Sequence, residues 1–253
     1  MLSEEDIDRF VRDGFVKVAG AFPRQDADAA AAHLLALAQE SQAGDGARSP
    51  VVRIGGSEHP AVVSALNTDR IVGCIDDLVG PGHWERREGY GTFPVRFPSA
   101  EDPGDAGWHI DGSFGDPPHY RVNLASRGRA LLALVLFTDV GVDDAPTRIL
   151  AGSHRHVARS LVGAGDVMFS PADRVPQVLD LSVVRATGQA GTIYLCHPFL
   201  VHAASWPHRG VGPRVIGQPA IHHPEGAWRG GFDYERPPDS PVKKAVRLAL
   251  TEP

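Results

Sequence analysis

The distribution of turn-forming residues limits what this chain can fold into more than any other feature. Glycine (28) and proline (21) make up nearly a fifth of its 253 residues and are spread along it rather than gathered in one segment. Both punctuate regular structure, glycine by admitting left-handed backbone and proline by fixing φ and removing an N–H donor. Beyond about residue 80 the stretches between them are short, which favours short strands joined by turns. The first 80 residues read differently. Ser3-Glu4-Glu5-Asp6 has the form of an N-cap with an acidic first turn, Ile7, Phe10 and Val11 recur at helical spacing, and Gly14 ends the helix before a strand, Phe15-Val16-Lys17-Val18. A second helix is expected from about Gln25 to Gln39 and a third around Thr68 to Val79, closed by Gly80-Pro81. Helices first and strands afterwards predict an antiparallel sheet assembly with helices packed on its outside.

The chain has the length of one sizeable domain, with no internal repeat and no linker long enough to divide it, so residues 1–253 are read as a single domain. A formal net charge of −6, with no run of Lys or Arg longer than two, leaves no basic stripe for nucleic acid. No apolar run is long enough to span a bilayer, and the acidic start is unlike a secretory signal. Two cysteines, Cys74 and Cys196, make no disulfide scaffold, so a cytosolic, reducing location is expected. Cys196 is read as a small buried apolar side chain. Nothing in the sequence fixes the oligomeric state.

The chemistry concentrates in Gly107-Trp108-His109-Ile110-Asp111-Gly112-Ser113. On a strand, His109 and Asp111 project to one face and Ile110 to the other. His202 lies 93 residues later in an apolar setting, and a histidine so placed must find a partner. Two imidazoles and one carboxylate are the set that holds a non-haem ferrous ion on one face and leaves the other face open. Arg214 follows after a Pro- and Gly-containing connection, on a returning strand Arg214-Val215-Ile216-Gly217-Gln218 that would bring it beside His202. Its planar guanidinium suits a carboxylate gripped through two parallel hydrogen bonds. Arg96, on an expected strand Thr92 to Phe97, is a second candidate for an anionic ligand, and Thr192, Ser113 and Gln218 are candidates to orient a ligand or co-substrate. Trp108, Ser113 and Phe114 flank the His-x-Asp pair and are candidates for a substrate pocket. His197 is read as a hydrogen-bonded structural histidine, His154 and His156 as loop-stabilising, and His208, His222 and His223 as exposed. Arg121, Arg127 and Arg129 sit close enough in sequence to make a local cationic surface.

These features together resemble the phytanoyl-CoA dioxygenase-like family of Fe(II)- and 2-oxoglutarate-dependent oxygenases. The likeness rests on Asp6 to Val16, on the apolar stretch Leu131 to Val140 followed by Ala145 to Arg155 with its Gly152-Ser153-His154, and on Gly191-Thr192 leading to His197-Pro198 and His202; it spans roughly Ser3 to Ala220. It implies a mainly β fold with flanking helices, a double-stranded β-helix (jelly roll, cupin-like barrel), in which a helical part of about 1–80 packs on a barrel of about 84–253. It implies Fe(II) on His109, Asp111 and His202, 2-oxoglutarate on the metal with its far carboxylate on Arg214, and O2 as the oxidant. The expected activity is hydroxylation of a C–H bond in a small molecule, with 2-oxoglutarate converted to succinate and CO2. Family members that halogenate carry a small residue where Asp111 stands, so the carboxylate favours hydroxylation or another oxidation. The same cofactors serve desaturation, epimerisation and ring formation. A ligand-binding β-sandwich without a reactive site would need only the barrel. The loops Pro98 to Gly107, Gly112 to Pro118 and Val162 to Gln177 are expected to form the rim of the site.

Overall fold

The computed structural model describes residues 1–252 apart from 44–48, 87, 112–113, 115–119, 127 and 225–238. Its first helix, α1 (Glu4–Asp13), begins in a complete capping box: Ser3 Oγ accepts from the Asp6 amide at 3.2 Å while Asp6 Oδ2 accepts from the Ser3 amide at 3.2 Å. Such a cap contributes on the order of 1 kcal/mol. Gly14 stops the helix in the left-handed region at φ 83° and donates to Phe10 O at 2.8 Å, turning the chain into β1 (Phe15–Val18). Then come α2 (Arg24–Ser41), β2 (Val51–Ile54), α3 (Pro60–Leu66) and α4 (Asp69–Val79), the last capped by Thr68. Helices α2 and α4 run close to the expected bounds; α3 and β2 have no counterpart in the sequence reading.

The rest is mainly strand: β3 (Phe93–Arg96), β4 (Leu131–Leu136), β5 (Arg148–Leu150), β6 (Val183–Arg185), β7 (Thr192–Cys196), β8 (His202–Ala203), β9 (Arg214–Gly217) and β10 (Ala220–Ile221). All named pairings are antiparallel. The larger sheet runs β1-β7-β4-β9-β3-β2, with β10 also on β4, and the smaller runs β6-β5-β8. Strands β1 and β2 come from the first 80 residues, so that segment supplies sheet as well as helix.

Strand β4 shows how the layers are specified. Its six residues, Leu-Leu-Ala-Leu-Val-Leu, are all buried. Leu131, Ala133 and Val135 face a core shared with α1 to α4, whereas Leu132, Leu134 and Leu136 face a second core with Tyr194, Cys196, Ile216 and, from the smaller sheet, Ile149. A strand covered on both faces reads as a continuous apolar run rather than an alternation. The outer face of the smaller sheet is covered by a third core, in which Leu150, Ile110 and Val201 meet Val157 and Ala158 of α5 (Ser153–Ser160) and Val246 and Ala249 of α7 (Pro241–Thr251). Two facing antiparallel sheets enclosed by helices give the expected double-stranded β-helix.

Three local readings need correction. The Gly-Ser-His segment forms helix α5 rather than a loop. The Val162 to Gln177 loop contains a short helix, α6 (Pro171–Arg174). His208, expected on the surface, is buried, with Nδ1 4.0 Å from Asp144.

Candidate metal centre

The backbone delivers the two histidines as a pair. His109 and His202 form an antiparallel bridge, the His109 amide donating to His202 O at 3.0 Å and the His202 amide to His109 O at 2.9 Å. Paired residues on neighbouring antiparallel segments point to the same face. His202 is in turn opposite Ile149 of β5, whose side chain fills the space between the sheets. Both imidazoles therefore project toward that space. Trp108 and Ile110, one residue to either side of His109, pack with the core behind the smaller sheet, as strand alternation requires. Trp108 stacks there against Arg148, whose guanidinium carbon lies 4.6 Å from the ring centroid. That guanidinium also donates to Ala106 O at 2.6 Å and Ala204 O at 3.1 Å, bracing the segments that carry the two histidines.

Second contacts fix how each imidazole is presented. His109 Nδ1 lies 2.8 Å from Gly107 O, and His202 Nδ1 lies 3.1 Å from Leu200 O. A carbonyl can only accept, so both Nδ1 atoms carry the proton and both Nε2 lone pairs are free to bind a metal. Asp111 Oδ1 stands 3.9 Å from His109 Nε2 and 3.8 Å from His202 Nε2, and the three donor atoms lie within 4.8 Å of one another. Metal–ligand bonds of about 2.1 Å place adjacent donors about 3 Å apart, so Asp111 Oδ1 needs to approach each Nε2 by about 1 Å and the two Nε2 atoms to draw together by at most about 2 Å. The donor set fits a divalent cation with part of its coordination sphere left over. Burial keeps the His202 pKa below the ordinary imidazole value. For Asp111 burial acts to raise the pKa, but the group is held below the usual carboxylate range, the Arg129 guanidinium being the largest of the influences that lower it. A neutral imidazole and an ionised carboxylate are the forms that bind a metal.

The second histidine is also placed from behind. Ser153 Oγ accepts from the Val201 amide at 2.9 Å, and the Gly152 amide donates to Asp13 O at 2.8 Å. The Gly-Ser-His segment thus ties α1 to the residue next to His202. His154 and His197 are fully buried beneath it; His197 Nδ1 accepts from the Phe199 amide at 3.1 Å, the structural role expected for it.

Arg214 is buried, 3 % exposed, and lies directly opposite Arg96 across β3 and β9; its strand does not return alongside His202 as read from the sequence, because β8 belongs to the other sheet. It shares a face with Ile216, which packs with Ile149 between the sheets. One Arg214 nitrogen donates to Ala145 O, and among the described residues its Nε has no hydrogen-bond partner. Arg96 donates to Asp105 at 2.7 and 2.9 Å, a carboxylate that it shares with Arg53. Burial, and then the repulsion of Arg96, lower the Arg214 pKa to about 9. The cations Arg214, Arg96 and Arg53 outnumber the carboxylates Asp105 and Asp144 that act on Arg214, so the cluster has an excess of positive charge. Thr192 is buried on the same side of β7 as Tyr194 and Cys196. The Gln218 amide donates to Thr92 O at 2.8 Å, just beyond β9.

A cavity of about 310 Å³ opens beside His109 and Asp111, lined also by Ile110, Tyr120, Val122, Met168 and Phe169; neither His202 nor Arg214 is among its lining residues. Trp108 and Phe114 are not among its lining residues, and Ser113 lies outside the described residues. Sequence reasoning placed the rim loop containing Met168 and Phe169 but did not single out these side chains. It read Arg129 only as part of a local cationic surface, whereas the Arg129 guanidinium donates to Asp111 Oδ2 at 2.9 Å.

A family model described as phytanoyl-CoA dioxygenase (PhyH) matches residues 10–215, a span that contains β1, His109, Asp111, His202 and Arg214. The chain belongs to the phytanoyl-CoA dioxygenase family. No curated protein matches it in sequence. Among solved structures, it is similar to the non-haem α-ketoglutarate-dependent carbocyclase SnoK from nogalamycin biosynthesis, at 17% identity over 88% of this chain and 84% of that one, with a TM-score of 0.60. HygX from Streptomyces hygroscopicus, solved with nickel and 2-oxoglutarate, matches at 15% identity over 88% and 87% of the two chains, with a TM-score of 0.58. EctD from S. alaskensis, solved with 2-oxoglutarate and 5-hydroxyectoine, matches at 16% identity over 88% and 76%, also with a TM-score of 0.58. At these identities the likeness establishes the fold, that of the phytanoyl-CoA dioxygenase-type double-stranded β-helix. No described helix is long and apolar enough to cross a membrane.

Proposed function

We propose that this chain is an Fe(II)- and 2-oxoglutarate-dependent oxygenase that hydroxylates a C–H bond of a small molecule. The observation that carries the reading is the convergence of His109 Nε2, Asp111 Oδ1 and His202 Nε2 within 4.8 Å. These three would hold the iron. Arg214, with Arg96 beside it, would take the far carboxylate of 2-oxoglutarate, and its buried Nε, which has no hydrogen-bond partner among the described residues, supports that assignment. Thr192 and Gln218 are proposed to border the co-substrate. When bound, iron and 2-oxoglutarate supply the oxygen activation, releasing succinate and CO2 as one oxygen atom enters the substrate.

The chain's own residues bind, orient and exclude water. Asp111 balances part of the metal's charge, and the Nδ1 hydrogen bonds of both histidines fix their rings. Tyr120, Val122, Met168 and Phe169 form an apolar wall, so the substrate presents a hydrocarbon face to the metal. Among the described residues, Tyr120 is the only ionisable side chain lining the cavity apart from the ligands His109 and Asp111, which supports a substrate bound by shape at this end. The same residues would serve desaturation, epimerisation or ring closure, the last being the reaction type named for the structurally similar SnoK. We also read residues 1–253 as one catalytic domain, because the core beneath β4 and β7 is continuous with α1 to α4. The two cysteines, both free and buried, support a cytoplasmic location.

The test is turnover under labelled oxygen with a panel of small molecules bearing aliphatic or aromatic faces. Succinate should form in step with a product carrying one labelled oxygen. Absence of succinate from the iron-loaded protein across the whole panel, with or without substrate, would count against an oxygenase; succinate with an unlabelled, dehydrogenated or cyclised product would move the assignment to those outcomes.

A further inference from the structure

We infer that Arg129 is a positioning residue that keeps Asp111 a one-oxygen ligand; the inference rests on the metal-centre reading above. The carboxylate of Asp111 is divided between two partners. Oδ1 faces the two Nε2 atoms at 3.8 and 3.9 Å, and Oδ2 accepts from the Arg129 guanidinium at 2.9 Å. A carboxylate whose two oxygens are both free can chelate a divalent cation. One whose second oxygen is held in a charge-assisted hydrogen bond offers the cation only the first. The difference decides how much of the metal is left for other ligands. Three protein donors leave three of six octahedral positions, enough for a keto acid binding through two atoms and for O2. A chelating Asp111 would take one of those three.

The surroundings hold the guanidinium in place. The Arg129 side chain is 14% exposed, and its backbone closes a turn with Ser126 from both ends: Ser126 Oγ donates to Arg129 O at 2.7 Å, and the Arg129 amide donates to Ser126 O at 3.1 Å. Ser126 is itself fully buried and sits in the left-handed region at φ 47°, a conformation that a serine adopts only when its surroundings demand it. Gly128 O accepts from His222 Nδ1 at 2.8 Å, and β4 begins two residues beyond Arg129. The arginine is therefore mounted on a fixed arm at the start of the central strand, not on a free loop.

The experiment compares wild type with Arg129→Met and Arg129→Lys, each loaded with Ni(II). Crystal structures should show Asp111 bound through one oxygen in the wild type and through two in Arg129→Met. Calorimetry should show 2-oxoglutarate binding weakened at least about tenfold in Arg129→Met, while Ni(II) affinity is kept or raised. A residue needed only for folding would instead lower metal affinity and thermal stability together. Arg129→Lys, which keeps a donor, should stay one-oxygen and recover part of the 2-oxoglutarate affinity. Asp111 bound through one oxygen in Arg129→Met would overturn the inference, as would Oδ2 on the metal in the wild type. Should Arg129→Met not fold, Arg129→Ala, which also removes the donor from Oδ2, is read by the same criterion: two-oxygen binding is expected, and one-oxygen binding would overturn the inference. Failure of the folded wild type to bind metal would reject the metal centre itself, a result distinct from a bound metal with the wrong carboxylate geometry.

Discussion

Replacing Arg214 by methionine separates the two things a buried cation does. With the pKa lowered from 12.5 to about 9, Arg214 stays charged at neutral pH in both the folded and the unfolded chain. Keeping it charged inside the fold therefore costs roughly 5 kcal/mol, mostly desolvation with a contribution from Arg96. Methionine removes that cost and loses the charge-assisted hydrogen bond to Ala145 O, a loss of about 1.5–3 kcal/mol. Without co-substrate, the variant should thus be no less stable than wild type. Binding should change in the opposite direction. Hydrogen bonds to a charged partner contribute about 1.5–3 kcal/mol, which corresponds to a roughly ten- to hundredfold loss of 2-oxoglutarate affinity. At 2-oxoglutarate about 100 times the wild-type Kd, the Ni(II)-loaded wild type should gain about 2.7 kcal/mol, or roughly 5–10 °C in Tm. A hundredfold weaker variant should gain only about 0.4 kcal/mol, near 1 °C. Thermal unfolding with and without 2-oxoglutarate reads both effects. An unliganded variant that melts several degrees early, or one that keeps the wild-type ligand shift, would refute the reasoning.

Three other expectations follow from particular contacts. Burial holds His154 neutral down to about pH 4, whereas the unfolded chain takes up this proton near 6.5; stability should be full above pH 6.5 and fall by roughly 3 kcal/mol towards pH 4, measured by urea midpoints, and His154→Leu should flatten that slope. Gly14→Ala should cost about 2–5 kcal/mol by chemical denaturation, because a Cβ there meets left-handed backbone at φ 83° and His154 Nδ1 at 2.5 Å. Met168→Glu should raise KM for an apolar-faced substrate by about tenfold or more while leaving 2-oxoglutarate affinity unchanged in calorimetry, since Met168 lines the cavity beside His109 and Asp111 and is 60% exposed.

Local rules carried the sequence reading a long way. The capping box at Ser3 and Asp6, the Gly14 stop and the strand beginning at Phe15 all depend on neighbours within a few residues, and they were legible. His109 and Asp111 were legible as a pair, although an isolated bridge at His109 rather than a full strand carries them. Helix α7 carried its signal in plain form, with Ser240 as N-cap, Pro241 in the first turn, and Val242, Ala245, Val246 and Ala249 spaced as one buried face, but the strand-rich texture upstream had extended the barrel to residue 253. Helix α5 was illegible for a different reason. It starts at a left-handed glycine with no side-chain cap, and contacts from Asp13 and Val201 fix it. Arg129 looked like a surface cation because its partner Asp111 lies 18 residues earlier, beyond any helical or strand period. His208 is buried by its pairing with Ser99, a contact between loops that composition assigns to the surface.

The most direct test of the metal centre is an anaerobic titration of the Fe(II)-loaded protein with 2-oxoglutarate, followed by visible absorbance. The account predicts a weak charge-transfer band that saturates at one 2-oxoglutarate per chain and is absent from folded Asp111→Ala and His202→Ala. A folded wild type that shows no band, or a band that survives in His202→Ala, would contradict it.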